Sequence, residues 1–265
     1  MACKALSFVY NGQASEDYGL YIGELGGKME DSSMASTNTE LIYDTIPNRI
    51  ENFIYQVKIT EDLLEFNMKL FFENPTDIGK DDLKYIDQWL FSNKYPKKLI
   101  ICQEDMLNCY YNAIFKDNNI LYYGNKPYGY DCTVQCDSPY AYEFEHEHTI
   151  SIQHGQIGKL RVNNTSSGIS YIFPNINFIC NKENGSIYIK NINDNGRTLI
   201  FENLKQGEEI TLDKWFQITS SYGLRRLGNC NKKWLRFVQG INNIEISGDL
   251  TKFNIKYQFM QGVGS

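Results

Sequence analysis

The stretch Asn184-Gly185-Ser186-Ile187-Tyr188-Ile189-Lys190-Asn191-Ile192-Asn193-Asp194-Asn195-Gly196-Arg197-Thr198-Leu199-Ile200-Phe201-Glu202 decides how the second half of the chain is read. Residues 186–190 and 198–202 are rich in Ile, Leu, Thr, Tyr and Phe and alternate, the composition of a pleated, half-buried surface. An Asn-Gly step precedes each run. Both residue types tolerate the positive φ that the central positions of a type I′ turn require, so each step predicts a hairpin. Moving outward, residues 160–162, 171–180, 209–212, 234–238, 241–246 and 253–259 repeat the pattern. Eight short strands at this spacing predict a β-sandwich or jelly roll.

The first half reads as β structure with one helix. Residues 5–10 and 19–25 are strand-like and flank a turn-rich stretch that opens with Asn11-Gly12, while 26–38 lacks periodicity and predicts a long loop. In 64–72, Leu64, Phe66, Met68 and Leu70 face one way and Glu65, Asn67 and Lys69 the other, which is period-two strand logic. Residues 53–59, 98–102, 110–115, 120–123 and 130–137 complete the strands. The helix lies at about 80–93: Leu83, Ile86, Trp89 and Leu90 share a face, Asp81 and Asp82 suit the positive end of the macrodipole, and Asn93 and Pro96 stop it. Asp137-Ser138-Pro139-Tyr140 breaks the pattern. The expected division is therefore 1–139, a β domain with one helix, and 140–265, a β-sandwich.

Composition agrees: 265 residues with 19 Tyr, 15 Phe and 27 Asn against 6 Pro and 3 His. The longest apolar runs fall far short of the roughly 20 residues of a membrane helix, and the N-terminus has neither the apolar core nor the cleavage site of a signal peptide, so no membrane insertion and synthesis in a cytoplasm are expected. Residues 1–140 carry 12 basic and 21 acidic side chains, net −9, and residues 141–265 carry 14 and 11, net +3. That asymmetry argues against a globally basic nucleic-acid binder and for two domains with different neighbours.

Motifs for chemistry are sparse. No nucleophile elbow, phosphate-binding loop, dinucleotide fingerprint or calcium loop occurs, and seven scattered cysteines without a Cys-x-x-Cys pair read as free thiols. His146 and His148 would share a strand face with His154 nearby, two or three imidazoles for a metal or simply a polar strand. Glu208 and Glu209 face opposite sides of a strand and read as a solvated edge; Glu202 and Glu209 are the carboxylates a glycan-cleaving enzyme would use. The cations Arg225, Arg226, Lys232, Lys233 and Arg236 interleave with Trp215, Tyr222 and Trp234. Trp215, Tyr222, Arg225, Arg226 and Trp234 are the candidate contacts to an acidic protein partner, to phosphate or to a glycan. No catalytic, metal or cofactor-binding residue is assigned.

The opening Phe8-Val9-Tyr10-Asn11-Gly12-Gln13-Ala14-Ser15-Glu16-Asp17-Tyr18-Gly19-Leu20 resembles the start of distal tail proteins of long-tailed bacteriophages. Trp89-Leu90-Phe91, Tyr95-Pro96-Lys97-Lys98-Leu99, Tyr110-Tyr111-Asn112-Ala113, the junction Cys136-Asp137-Ser138-Pro139-Tyr140-Ala141-Tyr142 and the closing Trp234-Leu235-Arg236-Phe237-Val238-Gln239-Gly240-Ile241-Asn242-Asn243-Ile244-Glu245-Ile246-Ser247-Gly248 continue the resemblance in order. It implies a structural protein of the virion's distal tail, without catalysis or cofactor. The N-terminal domain would build a hexameric ring and the C-terminal domain would be a galectin-like or carbohydrate-binding-module-like sandwich outside it. The implied neighbours are the tail tube protein, the tail-tip protein, the tape measure protein and a receptor-binding or peripheral baseplate protein, with DNA only in transit through the lumen. A carbohydrate-binding module that contacts host surface glycans is the alternative.

Overall fold

The computed structural model describes residues 6–26, 37–44, 53–103, 108–153, 155–167 and 171–262. By their contacts they form two units, residues 1–142 with 262–265, and residues 143–261.

In the first unit the alternation around Met68 becomes the strand Glu65–Phe72, with Phe66, Met68, Leu70 and Phe72 buried and Glu65 and Asn67 exposed. The sheet runs in the order Gln13–Ala14, Phe8–Tyr10, Lys97–Ile101, Cys109–Tyr123, Lys126–Cys136, Glu65–Phe72, Leu20–Gly26. A bridge between Leu6 and Ile22 joins the two flanks, so the sheet curls back on itself. Asn11 and Gly12 have φ of 50° and 80° in a two-residue hairpin that pairs Tyr10 with Gln13. Cys109–Tyr123 is one long strand where two are expected. Its register shifts between Lys116 and Asn119, and Asp117 takes a φ of 54° at that bulge.

The helix is Lys80–Phe91. The Asp82 carboxylate accepts the Gly79 N–H at 2.9 Å, and Asn93 donates to the Trp89 carbonyl at 2.8 Å, so both ends find side-chain partners. Ile86, Trp89 and Leu90 are buried against the curled sheet. Trp89 stacks on Phe8, centroids 5.8 Å apart, and its indole N–H donates to the Tyr10 carbonyl at 2.9 Å.

The expected loop at 26–38 is partly strand. Gly26 ends Leu20–Gly26, and Thr37 and Asn38 open Thr37–Asp44, which pairs with Phe53–Glu61 as a separate two-stranded sheet. Residues 27–36 lie outside the described residues.

The second unit is a sandwich of antiparallel sheets. One runs His146–Ser151, Leu250–Tyr257, Asn175–Cys180, Glu209–Leu212, Ile218–Ser220. The other runs Gly158–Asn164, Gly240–Gly248, Gly185–Asn191, Arg197–Leu204. Phe178 and Phe201 meet edge-on between them at 5.3 Å, within a core that includes Ile187, Ile189, Phe237 and Phe253.

Asn195-Gly196 lies in the loop of the hairpin that pairs Asn191 with Arg197, both residues at positive φ. Asn184-Gly185 makes no hairpin. Asn184 has a φ of 53°, but the strands on either side belong to different sheets. The chain crosses the sandwich there, and a Cβ on Gly185 would lie 2.4 Å from Cys180 Sγ, so close packing explains the glycine.

Residues 234–238 form no strand beyond a bridge between Ile172 and Phe237, and Asn175–Cys180 is shorter than expected. Buried asparagines hold this segment instead. Asn191 donates to the Arg236 carbonyl at 2.8 Å. Asn242 donates to the Val238 carbonyl and accepts the Val238 N–H, both at 2.8 Å. Asn191 also donates to Asn242 Oδ1 at 2.8 Å, so the two amides brace each other.

Candidate interaction surfaces

Trp215 is 75% exposed at the tip of the hairpin between Glu209–Leu212 and Ile218–Ser220. The turn is built rather than slack. Asp213 Oδ1 accepts the Trp215 and Gln217 N–H groups at 2.9 and 2.8 Å, and Asn175 Oδ1 accepts that of Lys214 at 2.8 Å. Phe216 takes a φ of 67°, a strained position for a bulky residue. Its ring repays the geometry by stacking on Trp234 at 5.2 Å and meeting Phe173 edge-on at 4.9 Å. Trp234 is therefore a half-buried anchor with one face covered. Beside it the Arg236 guanidinium lies 3.6 Å over the Tyr171 ring and bonds both oxygens of Asp194, at 2.8 and 3.0 Å.

Glu208 and Arg226 form a buried ion pair, Nε to Oε1 at 2.7 Å and Nη2 to Oε2 at 2.5 Å. Glu208 also accepts Ser220 Oγ–H and the Lys205 N–H, and Arg226 also donates to the Asn203 carbonyl at 3.1 Å. Burial pushes the Glu208 carboxyl up, but these hydrogen bonds outweigh it and hold it below the usual range. The expected solvated edge is thus half wrong. Glu209 is exposed, while Glu208 is in phase with Ile210 and Leu212 and points inward. The pair clamps the loop that follows Ser220, on which Arg225 and Tyr222 stay exposed. Tyr222 donates to the Gln206 carbonyl at 3.0 Å.

Of the five contact candidates, then, Trp215, Tyr222 and Arg225 are on the surface, Trp234 is half-buried behind Phe216, and Arg226 is a clamp. Phe216, next to Trp215 in the chain, stacks on Trp234 and separates the half-buried ring from the exposed one. Neither Phe216 nor the Glu208–Arg226 pair stood out in the sequence. The one signal was phase, since a carboxylate on the inward face of a strand needs a buried cation.

His146 and His148 sit on either side of Tyr257, whose hydroxyl lies 2.9 Å from His148 Nε2. His146 Nε2 lies 3.0 Å from Glu143. His154 lies outside the described residues. Among the described residues no three His, Cys, Asp or Glu side chains gather as metal ligands. Cys102 and Cys109 are half-buried, and Cys132, Cys136, Cys180 and Cys230 are buried; Cys102 and the four buried thiols are free. Cys3 is not among the described residues. Burial pushes the Cys132 and Cys136 thiols up to about 12.

In the first unit Thr37–Asp44 and Phe53–Glu61 pair with each other and, among the described residues, with no other strand, and Ile42 and Ile54 are exposed. A cleft of about 400 Å³ opens between Pro75, Tyr123 and Tyr128, with Lys126 beside it. Carboxylates collect around the exposed Tyr85, whose ring stacks on Tyr18 at 5.7 Å. Glu16 and Asp17 lie in the turn Ser15–Tyr18, and Asp81 and Asp82 lie one helical turn before Tyr85.

A family model described as a phage tail protein N-terminal domain matches residues 3–138. One described as a phage tail C-terminal domain matches residues 140–257. No curated protein matches the sequence. Among solved structures, the Dit protein of phage SPP1, described as a paradigm of hub adsorption apparatus in phages that infect Gram-positive hosts, is similar with a TM-score of 0.65 and 12% identity, over 97% of this chain and 100% of that one. At that identity the likeness is one of fold. A chain of the phage P2 baseplate in its activated conformation with Ca is also similar, with a TM-score of 0.48 and 12% identity over 97% of this chain and 98% of that one.

Proposed function

Because the chain belongs to the phage tail protein family, we propose that it is the hub of the distal tail. Six copies close a ring that joins the tail tube to the tip protein and carries the receptor-binding or peripheral baseplate apparatus. The tape measure protein and then DNA pass through its lumen. The observation that carries this reading is the match of the two tail domains in order across nearly the whole chain, with the SPP1 Dit fold over the same span. Residues 1–139 build the ring and 140–265 face outward. The ring acts in the virion after synthesis in the host cytoplasm, and no step of the reading calls for catalysis.

Two features of the first unit support it. A two-stranded sheet is marginal alone in water, and Thr37–Asp44 with Phe53–Glu61 exposes Ile42 and Ile54, so a neighbouring subunit is its natural support. The −9 of residues 1–140 suits a DNA conduit, because like charge keeps DNA off the wall. The test is imaging of the purified protein and of the parent particle. A six-fold ring, about six times 30.7 kDa or roughly 184 kDa in solution, and the same ring at the tail's far end are expected. A tail end without the protein would sink the reading.

The exposed Trp215 favours one second reading, stacking on a host glycan. Glycan-array binding that disappears in Trp215→Ala would support it. The covered face of Trp234 leaves that residue a poor platform.

A further inference from the structure

In the first unit, the second half of the helix and the Asn11-Gly12 hairpin enclose a second cleft, of about 380 Å³. Tyr85, Gln88, Trp89 and Ser92 are spaced i, i+3, i+4, i+7, so one stripe of the helix lines one side. Asn11 and Gln13 line the other, and Asn93 stands at the helix end. Every polar side chain of this lining is uncharged, and four of them are carboxamides.

The walls are held in place. The Trp89 indole N–H donates to the Tyr10 carbonyl at 2.9 Å, and the Asn11 N–H donates to the Lys98 carbonyl at 3.0 Å, which fixes the hairpin against the helix. Asn93 donates to the Trp89 carbonyl at 2.8 Å, Ser92 donates to the Gln88 carbonyl, and Gln13 accepts the Tyr18 hydroxyl at 3.4 Å. The side-chain amides of Asn11 and Gln88 have no partner among the described residues. Each keeps an oxygen acceptor and two N–H donors for a ligand. Tyr85 is 51% exposed, and one face of its ring is taken by Tyr18.

These features select a class of ligand. The hydroxyl groups of a sugar each donate and accept, which free carboxamides complement, and an exposed tyrosine ring adds an apolar surface with a polar tip. A preformed cleft of this size with a few convergent polar groups is the usual form of a small-ligand site. Charges of both signs surround it: Glu16, Asp17, Asp81 and Asp82 on one hand, Lys80, Lys84 and Lys94 on the other. None of them belongs to the lining, so no cation there pairs a phosphate and no carboxylate there pairs an amine. A peptide strand is served less well, since the adjoining sheet edge, Gln13–Ala14, is two residues long and gives little ladder to extend.

We propose that this cleft binds a neutral saccharide, a hexose or N-acetylhexosamine unit of a glycan chain. Asn11 and Gln88 hold its hydroxyls and Tyr85 covers one face of the sugar ring. The site goes beyond the hub reading and does not rest on it. It is also separate from Trp215, which belongs to the other unit.

Titration of the full chain with cellotriose, maltotriose and the trimer of N-acetylglucosamine, followed by ligand-observed NMR, tests it. At least one of these neutral probes should bind. Gln88→Ala, Asn11→Gly and Tyr85→Ala should each weaken that binding by roughly tenfold, because each removes one contact to the sugar. Asn11→Gly keeps the positive φ of the turn, and thermal melting confirms that every variant is folded. Tyr188→Ala, which alters an exposed aromatic of the second unit, should leave binding unchanged. A glycerol phosphate oligomer should not compete. Failure of all three neutral probes to bind, full binding in the three cleft variants, or displacement by the glycerol phosphate oligomer would overturn the proposal. So would loss of binding in Trp215→Ala alone, which moves the sugar to the other unit. Chemical footprinting in which the tail tube or tip protein covers residues 85–93, with no sugar bound by the free chain, makes the cleft a protein contact and overturns it too. A ring that binds no sugar removes this site and leaves the hub standing. A tail end without the protein removes the hub and leaves this site standing.

Discussion

Glu208→Gln would leave Arg226 buried without its counter-charge, and urea titration should show the second unit destabilised by about 3–5 kcal/mol. The pH dependence has a definite sign. The folded carboxyl is held below its ordinary value of 4.5, so the pair's contribution is complete above that value and is lost as pH falls through the lower folded one. Wild type should therefore lose stability below about pH 4.5 more steeply than Glu208→Leu/Arg226→Met. This pair was half legible. Alternation put Glu208 in phase with Ile210 and Leu212, but its partner lies 18 residues away and stands beside an identical, exposed Arg225. Sequence spacing cannot choose between two adjacent arginines, because the choice depends on which one the loop turns inward. The same limit applies to Trp215 and Trp234, equivalent in the sequence and separated in the structure by Phe216.

At the scale of elements, Gly129→Ala should break the pairing of Glu65–Phe72 with Lys126–Cys136. The added Cβ would lie 2.0 Å from the Leu70 carbonyl oxygen and 3.2 Å from Phe71 Cα, and these backbone atoms leave little room to yield. A loss of about 3 kcal/mol or more is expected in thermal melting. Asn242→Ala should cost the second unit about 2–4 kcal/mol, since it leaves the Val238 N–H and the Asn191 amide short of partners. Elements whose stability is local were readable: the helix, from its apolar stripe and acidic first turn, and the strand around Met68, from strict alternation. Elements decided by distant packing were not. Asn184-Gly185 carries the same residues as Asn195-Gly196, yet one crosses between sheets and the other turns within one. The asparagine count pointed to turns, while Asn191 and Asn242 work inside the sandwich as substitutes for sheet hydrogen bonds. Of the two-stranded sheet of the first unit, 53–59 was legible as a strand, while Thr37–Asp44 was not, and its first two residues fall in the stretch without periodicity.

For the whole molecule, the contact division predicts that residues 143–261, expressed alone, fold with a cooperative melt of their own, while a fragment ending inside Glu209–Leu212 does not. Ile42→Lys/Ile54→Lys should lower the mass of the assembly and leave monomer stability within about 0.5 kcal/mol, because both side chains are exposed in the single chain. The mainly β architecture and the tail-protein family were legible from ordered motifs. The contacts between copies were not, since they depend on which residues two folded surfaces bring face to face. The three tryptophans give such questions an optical handle. Trp89 is sealed in the first unit, Trp234 is stacked and half-buried in the second, and Trp215 stands in solvent. The chain thus carries three native fluorophores in three environments. Acrylamide should quench Trp215 first, and a partner that covers it should silence that quenching while the emission of Trp89 stays blue and unchanged.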